Sequence, residues 1–453
     1  MSTHHDLTRR DFMLRGAAGA AGLGLLLNGE PVPLEASPLP MPASANERVG
    51  LGFIGAGIRG HILMEMAKLT GQADLVAVCD CYQGHLDRAK ERTEGKIETI
   101  FAQYKKLLER KDVDAVVIAT PDHWHLQMVL DALAAGKDVY IEKPMTHRIE
   151  DGPKMIAAAK RHNRIVQVGS QWISSAQHKK AKEIVQAGKL GKVTKITAAY
   201  NRNSSTGAWN YPIPPDLKVG ENMNWEEWLG PAKKRPFNPE YVFRYRKYWD
   251  FSGGISTDLF VHLINSIHFI MGVEMPKSVV ATGAILARND GREVPDTLDA
   301  LFDYGSFHVN MASTFNSAST AGQGIQLLGT DASLNLLLGT PAMTMAGESH
   351  REGYSYSIDS WPKALQEQFM NEGEHRAESK REAPKPEDIQ SPDSMDAAAL
   401  HMANFFDGVR SRKPCAEPPE VGHHAAAAGH MVNLSYRQGK KMHWDAAKGA
   451  ARS

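Results

Sequence analysis

The feature that most restricts this chain is a strand, a glycine-rich turn and a helix in direct succession. Val49-Gly50-Leu51-Gly52-Phe53-Ile54 is an apolar run of strand character, and Gly55-Ala56-Gly57-Ile58-Arg59-Gly60 follows at once. Leu63, Met66 and Leu69 then continue at helical spacing. Each glycine has its own task in such a turn. Gly55 permits the tight bend, Gly57 lets the backbone approach a pyrophosphate, and Gly60 lets the helix pack on the strand. The free N–H groups of the helix start, with Ala56, Ile58 and Arg59 in the same turn, are placed to hold phosphates. A second apolar strand, residues 75–79, ends in Asp80, 20 positions after the last glycine. A carboxylate there can take a ribose 2′-OH. The expected cofactor is therefore a nicotinamide dinucleotide. NAD is preferred to NADP, because Asp80 would repel a 2′-phosphate.

Strands and helices keep alternating. Ala115-Val116-Val117-Ile118-Ala119 is the continuous apolar run of a buried parallel strand and ends in Thr120-Pro121. A helix follows to Ala135 and stops at Gly136, as helices do at a C′ glycine. Val139-Tyr140-Ile141 leads into Glu142-Lys143-Pro144, and residues 165–168 add a further strand with Gln171 just beyond it. Repeated β-α units imply a doubly wound parallel sheet with its ligands at the carboxyl ends of the strands. Asp80, Thr120 and Lys143 sit at such ends. The later half reads differently. Residues 192–200, 278–286, 297–303 and 306–315 have strand character, with a hairpin turn at 303–306. Residues 396–408 and 420–437 read as helices, and the polar stretch 348–393 as a surface excursion. The fold class is α/β: an N-terminal Rossmann doubly wound parallel sheet plus a C-terminal α/β domain with a largely antiparallel open sheet. The expected divisions are 1–45 for a signal and linker, 46–170 for the NAD-binding domain, and 171–453 for a substrate-binding and oligomerisation domain.

The signal is read from Arg9-Arg10-Asp11-Phe12, an apolar stretch at 16–27, and a Pro-rich spacer ending in Ala43-Ser44-Ala45. Its 12 apolar residues are too few to cross a bilayer, which takes roughly 20 in a helix. The segment resembles a twin-arginine export signal, which implies the export machinery as a partner and a periplasmic location. That route carries folded proteins, so NAD would be taken up before export and retained. Across all 453 residues, 52 basic side chains balance 52 acidic ones. No whole-chain field therefore favours nucleic acid or an anionic membrane. Cys79, Cys81 and Cys415 offer no disulfide framework and no thiolate metal site.

The chemistry is read from Asp258 and His262, four apart on an expected helix and so on one face. Oxidation of an alcohol needs a base for the O–H proton as hydride leaves carbon, and histidine suits that task. Asp258 would stabilise the imidazolium. The competing reading is an exposed helical ion pair; a metal reading lacks a third ligand. The Lys143 ammonium, just past a strand, can polarise a hydroxyl oxygen. His125, in His123-Trp124-His125, either borders the cofactor or packs. Residues 200–249 hold many aromatic and arginine side chains without a clean period. Arg202, Trp209 and Trp249 are its substrate-side candidates, ordinary packing being the alternative, whereas Trp225 and Trp228 read as structural.

These residues resemble the glucose–fructose oxidoreductase / inositol dehydrogenase / MocA (Gfo/Idh/MocA) family. Its marks are Gly55-x-Gly57-x-x-Gly60, Ala119-Thr120-Pro121 with His125, Glu142-Lys143-Pro144, and Gly253-Gly254 followed by Asp258 and His262. The stretch 401–445 is similar as well. The resemblance implies that Lys143 contacts nicotinamide ribose and a substrate hydroxyl, that His262 takes the hydroxyl proton, and that Glu142 helps to place the cofactor. It also implies a homo-oligomer built on the open sheet. Asn265 stands where the family often has an acid. The leading expectation is hydride transfer between NAD and a secondary alcohol of a sugar or cyclic polyol. Behind it come a glycoside-cleaving enzyme that keeps its NAD, acting by transient oxidation and elimination, and a non-catalytic sugar sensor.

Overall fold

In the computed structural model, residues 44 and 47–453 are described apart from 205, 318, 320–322, 339, 341, 348–355, 374–385 and 391–396. The twin-arginine segment lies outside them. The first sheet is parallel throughout, in the order β3-β2-β1-β4-β5-β6. Its strands are β1 (Val49–Ile54), β2 (Ala73–Asp80), β3 (Glu98–Phe101), β4 (Ala115–Ile118), β5 (Asp138–Ile141) and β6 (Val166–Val168). The central strands β1, β4 and β5 are buried at every position, as their unbroken apolar runs require. The edge strand β3 is only partly covered, and its sequence carries no such run. The connecting helices are α1 (Ile58–Thr70), α2 (Gln83–Arg92), α3 (Tyr104–Leu108), α4 (His125–Ala134) and α5 (Asp151–His162). Strand order reverses between β1 and β4, which opens a crevice at their carboxyl ends.

After α6 (Ala176–Gln186) comes β7 (Lys195–Ala199), the centre of a second, ten-stranded sheet. Its long strands are β8 (Ser278–Ala284), β9 (Thr297–Asp303) and β10 (His308–Thr314), where strands were expected. Pairing is antiparallel except between β7 and β10. The structure adds β11 (Gly324–Leu328), β12 (Ala332–Leu336), β13 (Ala342–Gly347) and β14 (Glu387–Gln390) on one side. On the other it adds β15 (Met442–Asp445) and β16 (Ala450–Arg452). β12 is buried at alternate positions, and β11 nearly so after Gly324, so no continuous apolar run marks them.

The helices of this half are α7 (Trp225–Leu229), α8 (Pro239–Phe243), α9 (Val261–Met271), α10 (Lys363–Asn371), α11 (Ala397–Ser411) and α12 (Pro419–Gln438). α9 packs between α6 and α12, with Leu263, Ile264 and Ile267 in the same core as Ala427 and Met431. α11 returns to the first sheet. Its Met402, Phe405 and Phe406 join Phe53, Leu63 and Tyr140 in one core, and Arg412 Nη1 reaches Asp138 Oδ2 at 2.6 Å. A cut at residue 170 thus divides the strands but not the packing.

The segment between β7 and α9 has little regular structure, yet it is pinned from inside. Lys247 is fully buried, and its ammonium donates to Asn210 Oδ1 at 3.1 Å, Glu240 Oε2 at 3.0 Å and the Asp290 carbonyl at 2.8 Å. Trp225 and Trp228 stack at 5.3 Å in a satellite core, as their structural reading requires. Truncating Lys247 to alanine leaves Glu240 and Asp290 without their shared cation. That costs about 3 kcal/mol. The expected result is a lower urea midpoint and new proteolytic cuts between residues 200 and 250.

Candidate active site

The glycine turn is built as a cradle. Gly55 sits at φ +92°, and a Cβ there would lie 2.7 Å from the Ala119 carbonyl oxygen. A Cβ on Gly60 would meet the Gly55 carbonyl at 2.3 Å, so α1 and β1 touch only because neither position has a side chain. Gly57 differs: a Cβ would find only His85 Cε1, at 4.0 Å. The space above that position is left to a ligand. The N-cap of α1 is Gly57, which makes no side-chain cap bond, so the helix start faces the same space. Asp80, at the end of β2, accepts from Ala56 N at 2.7 Å and Tyr82 N at 2.9 Å, and faces His85 Nδ1 at 3.2 Å. It therefore first fixes the glycine turn, with lone pairs left for a ribose. Burial would lower the His85 pKa, but Asp80 overcomes that and raises it. His85 was missed in the sequence, where only its place five residues after Asp80 pointed to it.

The ends of β4, β5 and β6 meet beside this cradle. Thr120 Oγ1 is buried without a partner, and Thr120 borders Gly55. His125 spans two loops, with Nδ1 at 2.8 Å from the Pro144 carbonyl and Nε2 at 3.0 Å from that of Thr120. It packs, and thereby holds Pro121 and Pro144 in place. Arg59 reaches from α1 to Glu142 Oε1 at 2.7 Å and Gln171 Oε1 at 3.2 Å. The sequence candidates Arg59, Glu142 and Gln171 are thus one network joining turn, strand end and the start of the second domain. Among the described residues no His, Cys, Asp or Glu group could hold a metal. The open glycine cradle, the uncapped helix and the unpartnered Thr120 hydroxyl fit a dinucleotide. When bound, it supplies a hydride acceptor.

The candidate reacting groups come from both domains. Lys143 Nζ lies 2.7 Å from Asp258 Oδ1 and 2.9 Å from the Asp258 carbonyl oxygen. Arg246 Nε adds a contact to the same carboxylate oxygen at 3.0 Å. Asp258 sits in a π-helical turn, residues 256–260, immediately before α9, a distortion frequent at functional sites. Burial works to raise its pKa, but Lys143, Arg246 and Arg202 hold it far below the usual carboxylate range. His262 follows in the first turn of α9, with Nδ1 buried and unpartnered. Burial first, and then the Lys143 charge, keep its pKa well below 6.5, against the pull of Asp258. The expected imidazolium pairing with Asp258 is therefore corrected. Two cations have claimed that carboxylate, and His262 stacks instead on Trp172 at 4.7 Å.

Of the substrate-side candidates, Arg202 lies on this wall. It donates to Tyr200 Oη at 3.0 Å, and Tyr200 packs on Trp172 at 5.7 Å. Trp209 is 2% exposed and edge-on to Phe315 at 4.5 Å in the second core, so most of its ring packs, but it borders the same cavity as Arg202. Trp249 leaves the wall. Its Nε1 donates to the Glu293 carbonyl, and it borders a different groove with His147 and Arg437. Trp172 and Arg246 take their places, brought in by long-range folding that no local spacing announces.

A low pKa leaves the His262 imidazole neutral, the form that accepts a proton, as pH falls. The acid limb of kcat/KM should therefore lie below pH 6.5. His262→Ala should abolish turnover while dinucleotide stays bound; unchanged turnover removes His262 as the base. A second titration concerns stability. Glu417 is wholly buried, accepts from Ser170 N at 3.0 Å, and burial pushes its carboxyl from 4.5 up to about 8. Within that window the folded chain holds a proton that the unfolded chain has released, so stability falls as pH rises. The slope is at most about 1.4 kcal/mol per pH unit. Glu417→Gln should flatten the pH dependence of the urea midpoint across that window, and an unchanged slope would show that Glu417 is ionised.

Residues 49–170 match the family model described as "Oxidoreductase family, NAD-binding Rossmann fold". Residues 182–443 match its companion, "Oxidoreductase family, C-terminal alpha/beta domain". The alpha-N-acetylgalactosaminidase of Shewanella oneidensis is 28% identical over 232 residues, 45% of this chain and 50% of that protein. The chain spans about half the length of the curated relatives it matches. Levoglucosan dehydrogenase, solved with NADH and levoglucosan, superposes with a TM-score of 0.64 at 14% identity, over 87% of this chain and 98% of that one. Aldose-aldose oxidoreductase from Caulobacter crescentus, solved with glycerol, gives 0.64 at 17% identity, over 87% and 99%. These two share the fold. With both halves matched, the chain belongs to the Gfo/Idh/MocA oxidoreductase family and carries its NAD-binding fold.

Proposed function

We propose that this protein oxidises a secondary alcohol of a sugar or cyclic polyol with NAD, through Lys143, Asp258 and His262. The observation that carries the reading is the Lys143–Asp258 contact of 2.7 Å, which joins the end of a dinucleotide-binding strand to the turn that presents His262. Lys143 polarises the substrate oxygen, and its ammonium is steered by Asp258. His262 receives the hydroxyl proton as the carbinol C–H bond breaks. A dinucleotide held by the glycine cradle would supply the acceptor for that hydride, so that the alcohol would become a ketone while His262 keeps the proton. Arg59, Glu142 and Gln171 tie the cofactor-side backbone together, and Trp172 fixes the imidazole plane. NAD is the form proposed, since the Asp80 carboxylate beside Ala56 N disfavours a 2′-phosphate.

A second reading rests on the relative named alpha-N-acetylgalactosaminidase. In it the same oxidation is transient: the new carbonyl acidifies a neighbouring C–H, a glycosidic bond eliminates, and the hydride returns. Retention of NAD would serve such a cycle after export, which we propose from Arg9-Arg10 and the apolar stretch behind them.

Protein taken from the periplasmic fraction and denatured should release dinucleotide in stoichiometric amount. NADH accumulating one-for-one with oxidised sugar then supports the dehydrogenase; glycoside cleavage without net NADH supports the redox-neutral cycle. A protein that neither releases nor binds dinucleotide overturns both.

A further inference from the structure

The reacting site holds more positive charge than its own acids can balance. Lys143 and Arg246 both contact Asp258 Oδ1, and their side chains are 12% and 23% exposed. Arg202 stands on the same wall and makes one side-chain hydrogen bond, to the neutral Tyr200 hydroxyl. Its guanidinium also lies over the Tyr200 ring at 5.0 Å, and that of Arg246 over Tyr245 at 4.5 Å. Three fixed cations therefore surround one carboxylate. The other acid of the neighbourhood, Asp122, is buried, and burial raises its pKa toward the neutral form. Even with Asp122 ionised, one cation is left over. Arg59 does not change this balance, because it is paired with Glu142. His262 adds no negative charge, and an oxidised nicotinamide would add positive charge.

A surplus cation in a site screened from water is costly unless a ligand neutralises it. The surplus is also presented in a usable shape. Arginine offers five donors in a planar fork that matches a carboxylate edge. Arg202 uses one donor on Tyr200, and Arg246 uses Nε on Asp258 and leaves its terminal nitrogens. Arg202 is reachable, since with Asn201, Asn203 and Tyr211 it lines a cavity of about 540 Å³. The Tyr200 ring lies under the Arg202 guanidinium and packs on Trp172 at 5.7 Å, so aromatic side chains stand next to that edge.

We propose that the substrate is a sugar acid, its ring against Trp172 and Tyr200 and its carboxylate taken by the free guanidinium edges of Arg202 and Arg246. This rests on the alcohol-oxidation reading and narrows its substrate class. The carboxylate stays intact through the reaction. It anchors the ring so that a neighbouring carbinol lies between Lys143 and His262, and it compensates the cations that Asp258 alone leaves unbalanced.

The test is calorimetric titration of the full chain, loaded with NADH, with glucuronate, galacturonate and mannuronate against the three parent hexoses. At least one hexuronate should bind about tenfold more tightly than its hexose. Raising salt should narrow the gap. Arg202→Gln should erase the gap between acid and hexose, with NADH affinity unchanged. Equal binding of acids and hexoses by the wild type overturns the proposal. So does an Arg202→Gln protein that weakens both alike, or a site that takes hexose 6-phosphates and no hexuronate. If Arg202→Gln fails to fold, the wild-type comparison and its salt dependence decide. The two readings fail separately when the same sugars are also incubated with the protein loaded with NAD and NADH absorbance is followed. A hexuronate that binds without reducing NAD sinks the hydride-transfer reading and leaves the charge argument; NADH formed from neutral sugars with no preference for acids does the reverse.

Discussion

The Lys143–Asp258 ion pair is the contact on which the rest of the site depends. It joins a strand end of the first sheet to the π-helical turn before α9, and so registers one domain against the other. A pair this well buried gains little net stability, because desolvation offsets much of the attraction. Its value lies in position. With Lys143 fixed, the glycine cradle, the Arg59–Glu142–Gln171 network and His262 keep constant spacing across the crevice.

Asp258 has one carboxylate and several claimants. Since Lys143 and Arg246 occupy it, His262 is left uncharged and held by stacking on Trp172. Burial and the neighbouring cations keep the imidazole in its neutral, proton-accepting form, though as a weaker base than one paired with Asp258 would be. The same competition leaves Arg202 without an acid of its own. Base strength and ligand charge preference thus follow from a single shortage of negative charge.

Much of this was legible in the sequence wherever the signal was local. The 49–60 strand-turn-helix, Asp80 after β2, Thr120 after β4 and Lys143 after β5 are all read from apolar runs followed by a distinctive end. Asp258 and His262 were legible as a spaced pair, but the loss of their mutual pairing was not, because the competitors for the carboxylate, Lys143 and Arg246, lie 115 and 12 positions from Asp258. Trp209 and Arg202 look alike in an aperiodic segment, and only packing against Phe315 separates a core ring from a wall. Strands β11 to β13 escaped because they are only five or six residues long and partly buried, β12 alternately and β13 at Met343 alone, so no apolar run announces them. α11 reads as a helix of the second half, yet tertiary contact assigns its Phe405 to the first sheet.

The most direct test follows a hydrogen. The protein loaded with NAD would be incubated with sugars and sugar acids carrying deuterium on their carbinol carbons, and the dinucleotide released and weighed. The account predicts deuterium on the nicotinamide of the wild type and none with His262→Ala, although that variant still holds its dinucleotide. A dinucleotide that never acquires deuterium from any of them would contradict the claim that this cluster moves hydride from a carbinol carbon.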